Sequence, residues 1–153
     1  MFAIIRVRGE VNLKPENKTA LKLLRLHSVN HLSLLPKNEE NMKRLSGVSS
    51  YATFGEIEGD AFAKLLKKRG RLPGNKRLDA AFLKEKGFKD FREMADKILL
   101  GKAKIADLGI KPVFRLGPPK KGYERGGIKK NVKVGGALGY RGKEINKLIL
   151  RMA

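Results

Sequence analysis

Cysteine is absent from this sequence, and its absence removes several classes of function. The chain can form no disulfide framework, thiolate zinc site or iron–sulfur cluster, and it has no cysteine nucleophile. The lack of cysteine fits the reducing cytoplasm, where we expect the protein to work. Long apolar runs are also missing, because the runs present span only a few residues, as at Ile98-Leu99-Leu100, and they predict no membrane-spanning helix.

Acidic residues are scarce. The chain has 153 residues, of which 35 are lysine or arginine and 15 are aspartate or glutamate, so its formal net charge is +20. A charge of this size predicts a polyanionic partner, with nucleic acid as the first candidate and an anionic membrane surface as the second. Residues 1–60 hold nine basic and seven acidic residues, whereas residues 61–153 hold 26 basic and eight acidic residues. The first part therefore has the charge of an ordinary globular core, and the second that of a binding segment.

The signatures of common enzymes are missing as well. The chain has neither a GxGxxG that follows a strand nor a GxxxxGK[ST] loop, which are two widespread nucleotide-binding fingerprints. His27 and His31 are four residues apart, but the predicted helix ends near Leu26 and no neighbouring carboxylate completes a metal site. A structural or RNA-facing role is favoured for these histidines. We predict that the protein is not an enzyme and uses no cofactor, metal or small-molecule substrate.

The first 58 residues predict an alternation of strands and helices. Alternating apolar residues indicate strands over 2–8, 31–35 and 51–58. Pro15 at a first turn and a leucine stripe indicate a helix over 15–26. Asn38 is a candidate cap for a second helix that Gly47 would end. The predicted order is strand, helix, strand, helix, strand.

The remaining residues predict a different organisation. A helix is expected over 60–69 with Asp60 as its cap, and two short helices over 78–86 and 90–100. A strand is expected over 111–116, and a final helix over 142–152. Between these two lies an irregular stretch, 117–141, with seven basic residues and one acidic residue. Its charge and length favour a segment that becomes ordered on a partner.

One basic cluster contains no acidic residue between positions 64 and 77. Lys64 and Lys68 are separated by one helical turn, where like charges repel. Ordinary solvated helix faces mix both signs, so contact with phosphates explains this run better than folding does. The predicted RNA-binding residues of this cluster are Lys64, Lys67, Lys68, Arg69, Arg71, Lys76 and Arg77.

A second basic cluster follows Lys111 and is interleaved with glycines, which let backbone amides approach phosphates closely. Two tyrosines lie within it and could stack on unpaired bases, although partial burial is an equally good explanation for them. The predicted RNA-binding residues here are Arg115, Lys120, Lys121, Tyr123, Arg125, Lys129, Lys130, Lys133, Tyr140, Arg141 and Lys143.

Gly136-Ala137-Leu138-Gly139 forms a GxxG sequence. A GxxG at the start of a helix clamps nucleic-acid backbone in KH domains. The motif alone is weak, and the flanking strands of a KH domain are not evident here. A free-standing KH-like RNA-binding regulator is therefore the alternative hypothesis.

Several longer sequence strings resemble one family across essentially the whole chain. They are FAIIRVRG, YATFGEI, LLKKRGRL, KPVFRLGPPKKGYERGGIK and GGALGYRGKEINKLILRM. These strings are similar to the long archaeal form of the ribosomal protein L-thirty family, which is related to the eukaryotic L-seven proteins.

The resemblance implies an α+β fold with a β-α-β-α-β core, a three-stranded antiparallel sheet and ferredoxin-like character. It also implies a core domain over 1–58 and a helical, glycine-rich basic extension over 59–153 that packs on the core and on rRNA. The implied role is that of a structural constituent of the large ribosomal subunit, on 23S rRNA near the 5S rRNA and beside other large-subunit proteins. The family's first-helix contacts correspond here to Lys14, Lys18, Lys22 and Arg25.

Overall fold

The computed structural model describes residues 1–11 and 13–153. Its strands are β1 (Phe2–Arg6), β2 (His31–Leu35), β3 (Ala52–Glu56), β4 (Val113–Arg115) and β5 (Gly139–Tyr140). Its α-helices are α1 (Pro15–Leu23), α2 (Glu39–Val48), α3 (Gly59–Arg69), α4 (Ala80–Glu85), α5 (Phe91–Leu99) and α6 (Ile145–Met152). Short 3₁₀ turns cover Pro73–Asn75, Val132–Val134 and Gly142–Glu144. In the part of the chain that is described, no helix is long and apolar enough to cross a membrane.

All five strands form one sheet in the order β4-β2-β1-β3-β5. β1 is antiparallel to both β2 and β3, and β4 is antiparallel to β2, whereas β5 is parallel to β3. The α+β class is confirmed, but the expected three-stranded antiparallel sheet is wrong. Two further strands from beyond residue 58 form the sheet edges. β5 is too short, and too rich in glycine, to show the alternation that predicts a strand.

The central strand β1 is buried on both faces. Phe2 and Ile4 pack in a cluster with side chains of α1 and α2. Ala3 and Ile5, which point to the opposite face, pack in a second cluster with side chains of α3, α5 and α6. The sheet is therefore the middle of three layers, and the segment beyond residue 58 covers one complete face of it. Burial of each such isoleucine or phenylalanine contributes about 2 kcal/mol.

The end of α1 differs from the prediction and shapes the loop that follows. The helix ends at Leu23 rather than at position 26, because Arg25 adopts a left-handed conformation with φ of 59°. The amide of Arg25 then donates to the carbonyl of Lys22, and the amide of Leu26 donates to the carbonyl of Leu21, both at 2.9 Å. This is a Schellman ending with arginine in the place that glycine usually takes. It buries Leu26 and leaves Arg25 exposed.

Two predicted helix boundaries and one predicted capping contact are also corrected. Gly47 does not end α2, since the helix continues to Val48, whose burial in the core outweighs the cost of a helical glycine. Asn38 occupies the N-cap of α2, but among the described residues its side chain makes no capping hydrogen bond. The N-cap of α3 is Glu58, and Asp60 lies in the first turn. There its carboxylate forms an ion pair with Arg92 of α5.

Residues 117–141 are folded onto the body of the protein without a partner, whereas the sequence favoured a segment that becomes ordered on one. The amide of Gly126 donates to Gly135, and the amide of Leu138 donates to Lys130, at 2.9 and 3.1 Å. A Cβ at Gly136 would collide with the Lys130 carbonyl, so glycine permits this close approach of two backbones. Such contacts between irregular segments have no periodic signature, which is why the pattern of the sequence did not predict them.

Candidate nucleic-acid interface

The helix α3 separates its apolar and basic residues onto two faces. Phe62, Leu65 and Leu66 are buried in the core, while Lys64, Lys67 and Lys68 are exposed. The cations of the last turn lie where the helix dipole is negative, which offsets part of their mutual repulsion. The helix ends at Gly70, where a Cβ would collide with the side chain of Leu78. Lys64, Lys67 and Lys68 therefore form a basic ridge on the surface of α3, and a tight turn follows the helix.

The turn over residues 71–77 holds its cations in fixed positions. Leu72 accepts a 3.0 Å hydrogen bond from the amide of Asn75, and its own amide donates to Lys76 at 2.9 Å. Asn75 has a φ of 63°, and its side-chain oxygen accepts a hydrogen bond from the Arg115 guanidinium. The carbonyl of Arg71 accepts a 2.8 Å hydrogen bond from the amide of Lys111. The turn is therefore tied to β4 and to the segment before it.

Four adjoining clefts share lining residues, so together they form a single groove, which we call the basic groove. The first cleft, of about 410 Å³, is lined by Lys64, Lys67, Lys68, Leu150 and Ala153. The second, of about 390 Å³, is lined by Lys67, Lys68, Arg69, Arg71, Arg77 and Ala153. The third cleft, of about 180 Å³, is lined by Arg69, Arg71, Asn75 and Arg115. The fourth, of about 320 Å³, is lined by His27, His31, Arg71, Lys111, Pro112, Val113 and Arg115. No acidic side chain is among these described lining residues. Such a groove attracts a chain of phosphates.

The histidines lie at one end of the basic groove. His31 is on β2, directly opposite Arg115 of β4 in the sheet register, and its Nδ1 accepts a 3.4 Å hydrogen bond from the amide of Ser28. Partial burial lowers the pKa of His31 below its usual value, and Coulombic interactions with the side chains of His27, Arg115 and Arg6 lower it further. The imidazole of His31 is therefore neutral at pH 7.

A buried arginine supports this end of the groove. The Arg6 guanidinium is 2% exposed and donates to the carbonyls of Leu26, His27 and Arg8 at 2.9, 2.8 and 3.0 Å. Glu10 lies 3.7 Å from the same guanidinium. These bonds fix the loop that carries His27. The sequence pattern did not single out Arg6, which stands outside both basic clusters, or Asn75, which lies within the first cluster but carries no charge.

The predicted cations of the first helix form a separate surface. Lys14, Lys18, Lys22 and Arg25 are all exposed, and Lys18 lies 3.5 Å from Glu10. α1 packs on the opposite face of the sheet from α3. The structure therefore does not bring these residues together with the α3 ridge, and the protein presents basic surfaces in two of its layers.

Most predicted cations of the second cluster are exposed on the folded segment over 117–141 and just beyond it. They are Lys120, Lys121, Arg125, Lys129, Lys130, Lys133 and Lys143. The segment is anchored to α6, because Arg151 donates to the Lys120 carbonyl at 3.0 Å and the amide of Gly117 donates to Met152 at 3.0 Å. These cations are therefore carried on a defined backbone.

Arg141 is turned inward instead. Its side chain is 5% exposed and forms a two-pronged ion pair with Glu124, at 2.5 and 3.1 Å. It also donates to the hydroxyl of Thr53 at 3.2 Å. Burial raises the pKa of the Glu124 carboxyl, but the hydrogen bonds and charge of Arg141 outweigh burial and hold that pKa below its usual value. Arg141 thus fastens the segment to β3, and its guanidinium is not free for a phosphate in this conformation.

The two tyrosines of the second cluster also differ. The Tyr123 hydroxyl donates to the Asn30 side chain at 3.0 Å, and its ring is half-buried. Tyr140 is 46% exposed, with its ring centroid 5.7 Å from that of Phe54. Only Tyr140 therefore presents a substantial free ring surface for stacking.

The GxxG sequence does not stand at the start of a helix. Its last residue, Gly139, begins β5, and a 3₁₀ turn over Gly142–Glu144 separates it from α6. The backbone amide of Leu138 is already bonded to Lys130. This arrangement lacks the helix start that a KH clamp requires, so the alternative hypothesis of a KH-like regulator is not favoured.

Comparison with known proteins gives full-length similarity to one family. The family described as Ribosomal protein L30p/L7e matches residues 2–51. The chain is 50% identical over 151 residues to the large ribosomal subunit protein uL30 of Nanoarchaeum equitans (strain Kin4-M), covering 99% of this chain and 97% of that protein. The uL30 protein of Methanococcus maripaludis (strain C5 / ATCC BAA-1333) is 48% identical over 151 residues, and that of Thermofilum pendens (strain DSM 2475 / Hrk 5) is 46% identical over 155 residues. Both alignments cover 99% of this chain and 98% of the relative.

Proposed function

The chain belongs to the ribosomal protein L30p/L7e family, and we propose that it is a structural constituent of the large ribosomal subunit that binds rRNA and supports translation. It belongs to a family of structural proteins rather than enzymes. The observation that carries the proposal is the basic groove, which is lined by eight lysines and arginines. Within the described residues, none of these eight forms an ion pair with a carboxylate, so their charge is available to phosphates.

The proposed mechanism is recognition of RNA backbone and shape by a rigid surface. The backbone that carries the groove cations is held in α3, in the 71–77 turn and in and just before β4, so little backbone freedom is lost when RNA binds. Backbone contacts position a protein on nucleic acid without reading its sequence. We propose that residues 1–58 act as a platform and that residues 59–153 provide most of the rRNA contacts.

A more specific proposal concerns where the protein lies in the large ribosomal subunit. We place the protein on 23S rRNA, near the 5S rRNA region and beside neighbouring large-subunit proteins, as the family resemblance implies. Basic surfaces on both sides of the sheet support this placement, because one molecule could then contact two RNA segments. The α1 surface and the basic groove are the two candidate contacts.

Subunit fractionation tests the function. Cells that make a tagged copy of the full chain are lysed, and their ribosomal subunits are separated on a sucrose gradient after a high-salt wash. We expect the tagged protein to remain with the large subunit. A basic protein of similar size that is not ribosomal, carrying the same tag, shows what the wash removes. Recovery with messenger or transfer RNA outside the subunits would contradict the proposal and favour a free-standing regulator.

A further inference from the structure

The folded segment over 117–141 presents two large apolar side chains to solvent. Val134 is 68% exposed and Ile128 is 41% exposed. Single exposed apolar residues are ordinary on protein surfaces, but these two share a rigid backbone and a basic surrounding. We call residues 126–137, which carry both side chains, the apolar tip.

Backbone contacts hold the apolar tip in one shape. The amide of Gly126 donates to the carbonyl of Gly135 at 2.9 Å, which brings together the stretches next to Ile128 and Val134. A Cβ on Gly126 would lie 2.6 Å from that carbonyl oxygen, so glycine permits the close approach. The carbonyl of Asn131 accepts a 3.1 Å hydrogen bond from the amide of Val134, which fixes the turn that carries this side chain. Little backbone freedom is therefore lost when a partner covers the tip.

The charges around the apolar tip indicate the class of partner. Residues 125–143 contain six basic residues and no acidic residue, and among the described residues only Arg141 of these six is paired with a carboxylate. Lysine is depleted at interfaces between proteins, so a tip surrounded by lysines is a poor protein contact. RNA supplies phosphates for the cations and the flat faces of unpaired bases for the apolar side chains. The charge pattern therefore favours RNA as the partner of the tip.

We propose that the apolar tip packs Val134 and Ile128 against unpaired bases of rRNA while the lysines beside them contact the flanking phosphates. This inference rests on the proposed function and deepens it, because such a contact selects an RNA loop or bulge over a continuous duplex. In a duplex the base faces are stacked on one another, and the major groove of A-form RNA is too deep and narrow for side chains to read. Apolar side chains insert between bases in other nucleic-acid complexes, where they replace part of the base stacking.

An apolar contact differs from a phosphate contact in its response to salt. Each phosphate contact with single-stranded RNA steepens the logarithmic salt slope by about 0.7, whereas an apolar contact releases no counterions. For the double variant Val134→Ala and Ile128→Ala, we expect affinity for protein-free 23S rRNA to fall about tenfold with an unchanged slope. For Lys129→Ala and Lys130→Ala, the slope should become shallower by about 1.4.

The matched control is Leu100→Ala. Leu100 is 71% exposed, but it lies at the end of α5 among residues of both charge signs, so we expect no change in affinity. Native affinity in the apolar double variant, or a slope change equal to that of the lysine pair, would overturn the inference. Steep salt dependence in the native protein would then leave the proposed function intact, whereas no binding by the native protein contradicts the proposed function itself.

A second measurement identifies what lies against the apolar tip without depending on a loss of affinity. The chain has no cysteine, so Val134→Cys provides a single thiol for a photoactivatable cross-linker. The labelled full chain is assembled with 23S rRNA and the other large-subunit proteins and is then irradiated, with Leu100→Cys as the control. We expect Val134→Cys, and not the control, to cross-link to nucleotides that chemical probing shows to be unpaired. Cross-links to a protein or to nucleotides within a duplex contradict the inference.

Discussion

Two neighbouring stretches of this chain carry the same number of basic residues and have different surfaces. Residues 61–78 contain seven basic and no acidic residues, and residues 79–107 contain seven basic and six acidic residues. Both stretches contribute to one hydrophobic cluster, through Phe62 of α3 and Ile98 of α5. The difference between them therefore does not come from the core. It lies in the carboxylates, which accompany the cations of residues 79–107 and are absent from residues 61–78.

The α4–α5 stretch, residues 79–107, carries acidic residues among its cations, and two of its seven cations form ion pairs among the described residues. Arg92 contacts Asp60 and lies 3.7 Å from Asp96, and Lys97 lies 2.7 Å from Glu93. These pairs stabilise helices and their packing modestly. The cations of the basic groove have no such partners among the described residues. The number of lysines alone therefore does not identify a binding surface. The absence of carboxylates that would neutralise their charge does.

Charge reversal in the basic groove should have the largest effect on the affinity for rRNA. Changing Lys67→Glu and Lys68→Glu replaces two attractive contacts with two repulsive ones in the middle of the groove. We expect affinity for protein-free 23S rRNA to fall about 10³-fold at about 0.1 M salt. The measurement is filter binding with the full-length protein.

The matched control is the pair Lys84→Glu and Lys86→Glu, two exposed lysines in and after α4. It makes the same change in net charge on the mixed-sign surface, and we expect a much smaller loss. Equal losses in the two double variants would show that net charge, rather than the groove, determines affinity.

A core substitution in α3 should separate folding from binding. Leu65 is fully buried beneath the basic ridge, and Leu65→Ala should lower the free energy of unfolding by about 3 kcal/mol through cavity formation. Urea denaturation measures this loss. Lys64→Ala, on the exposed face of the same helix, should leave unfolding nearly unchanged. A large destabilisation by Lys64→Ala would mean that the ridge supports the fold.

The buried ion pair between Glu124 and Arg141 should contribute more to stability than the exposed pair between Glu93 and Lys97. Glu124→Gln removes the charge that balances Arg141, and we expect a loss of about 2 kcal/mol at neutral pH. The pKa of Glu124 is lowered by Arg141 in the folded state, so this stabilisation is present above the unfolded-state pKa and fades as pH falls through the folded-state value. Thermal melting of native and variant protein should therefore converge in acid.

Glu93→Gln provides the exposed comparison. The Lys97 side chain lowers the pKa of Glu93 by hydrogen bonding, but the pair is exposed to solvent. Solvent screens such pairs, so the melting temperature should change little. A larger effect for Glu93→Gln than for Glu124→Gln would contradict the assignment of Arg141 to the interior.

The sequence predicted the regular elements well for a physical reason. β1, β2 and the strands and helices up to residue 58 have apolar residues at the spacing that burial requires, and these elements end within a few residues of the predicted positions. The exceptions are local. The helix α2 continues past Gly47 because Val48 is buried, and α1 ends before Arg25 because Leu26 is buried. In both places a tertiary contact outweighs local preference.

The site was predicted less completely, because exposure depends on contacts between distant residues. Arg115 and Arg141 stand in the same basic cluster, yet Arg115 lines the groove and Arg141 is buried against Glu124, 17 residues away. Neither periodicity nor composition distinguishes them. The pairing of β4 with β2, which brings Arg115 to His31, is likewise a long-range contact that the sequence pattern does not contain.

The salt dependence of binding to protein-free 23S rRNA tests the central claim most directly. If the protein binds through six to ten phosphate contacts, the logarithm of affinity should fall with the logarithm of salt concentration with a slope between about −4 and −9. Affinity would then drop about 10³- to 10⁵-fold between about 50 and 200 mM salt. A slope close to zero would contradict binding through the basic groove.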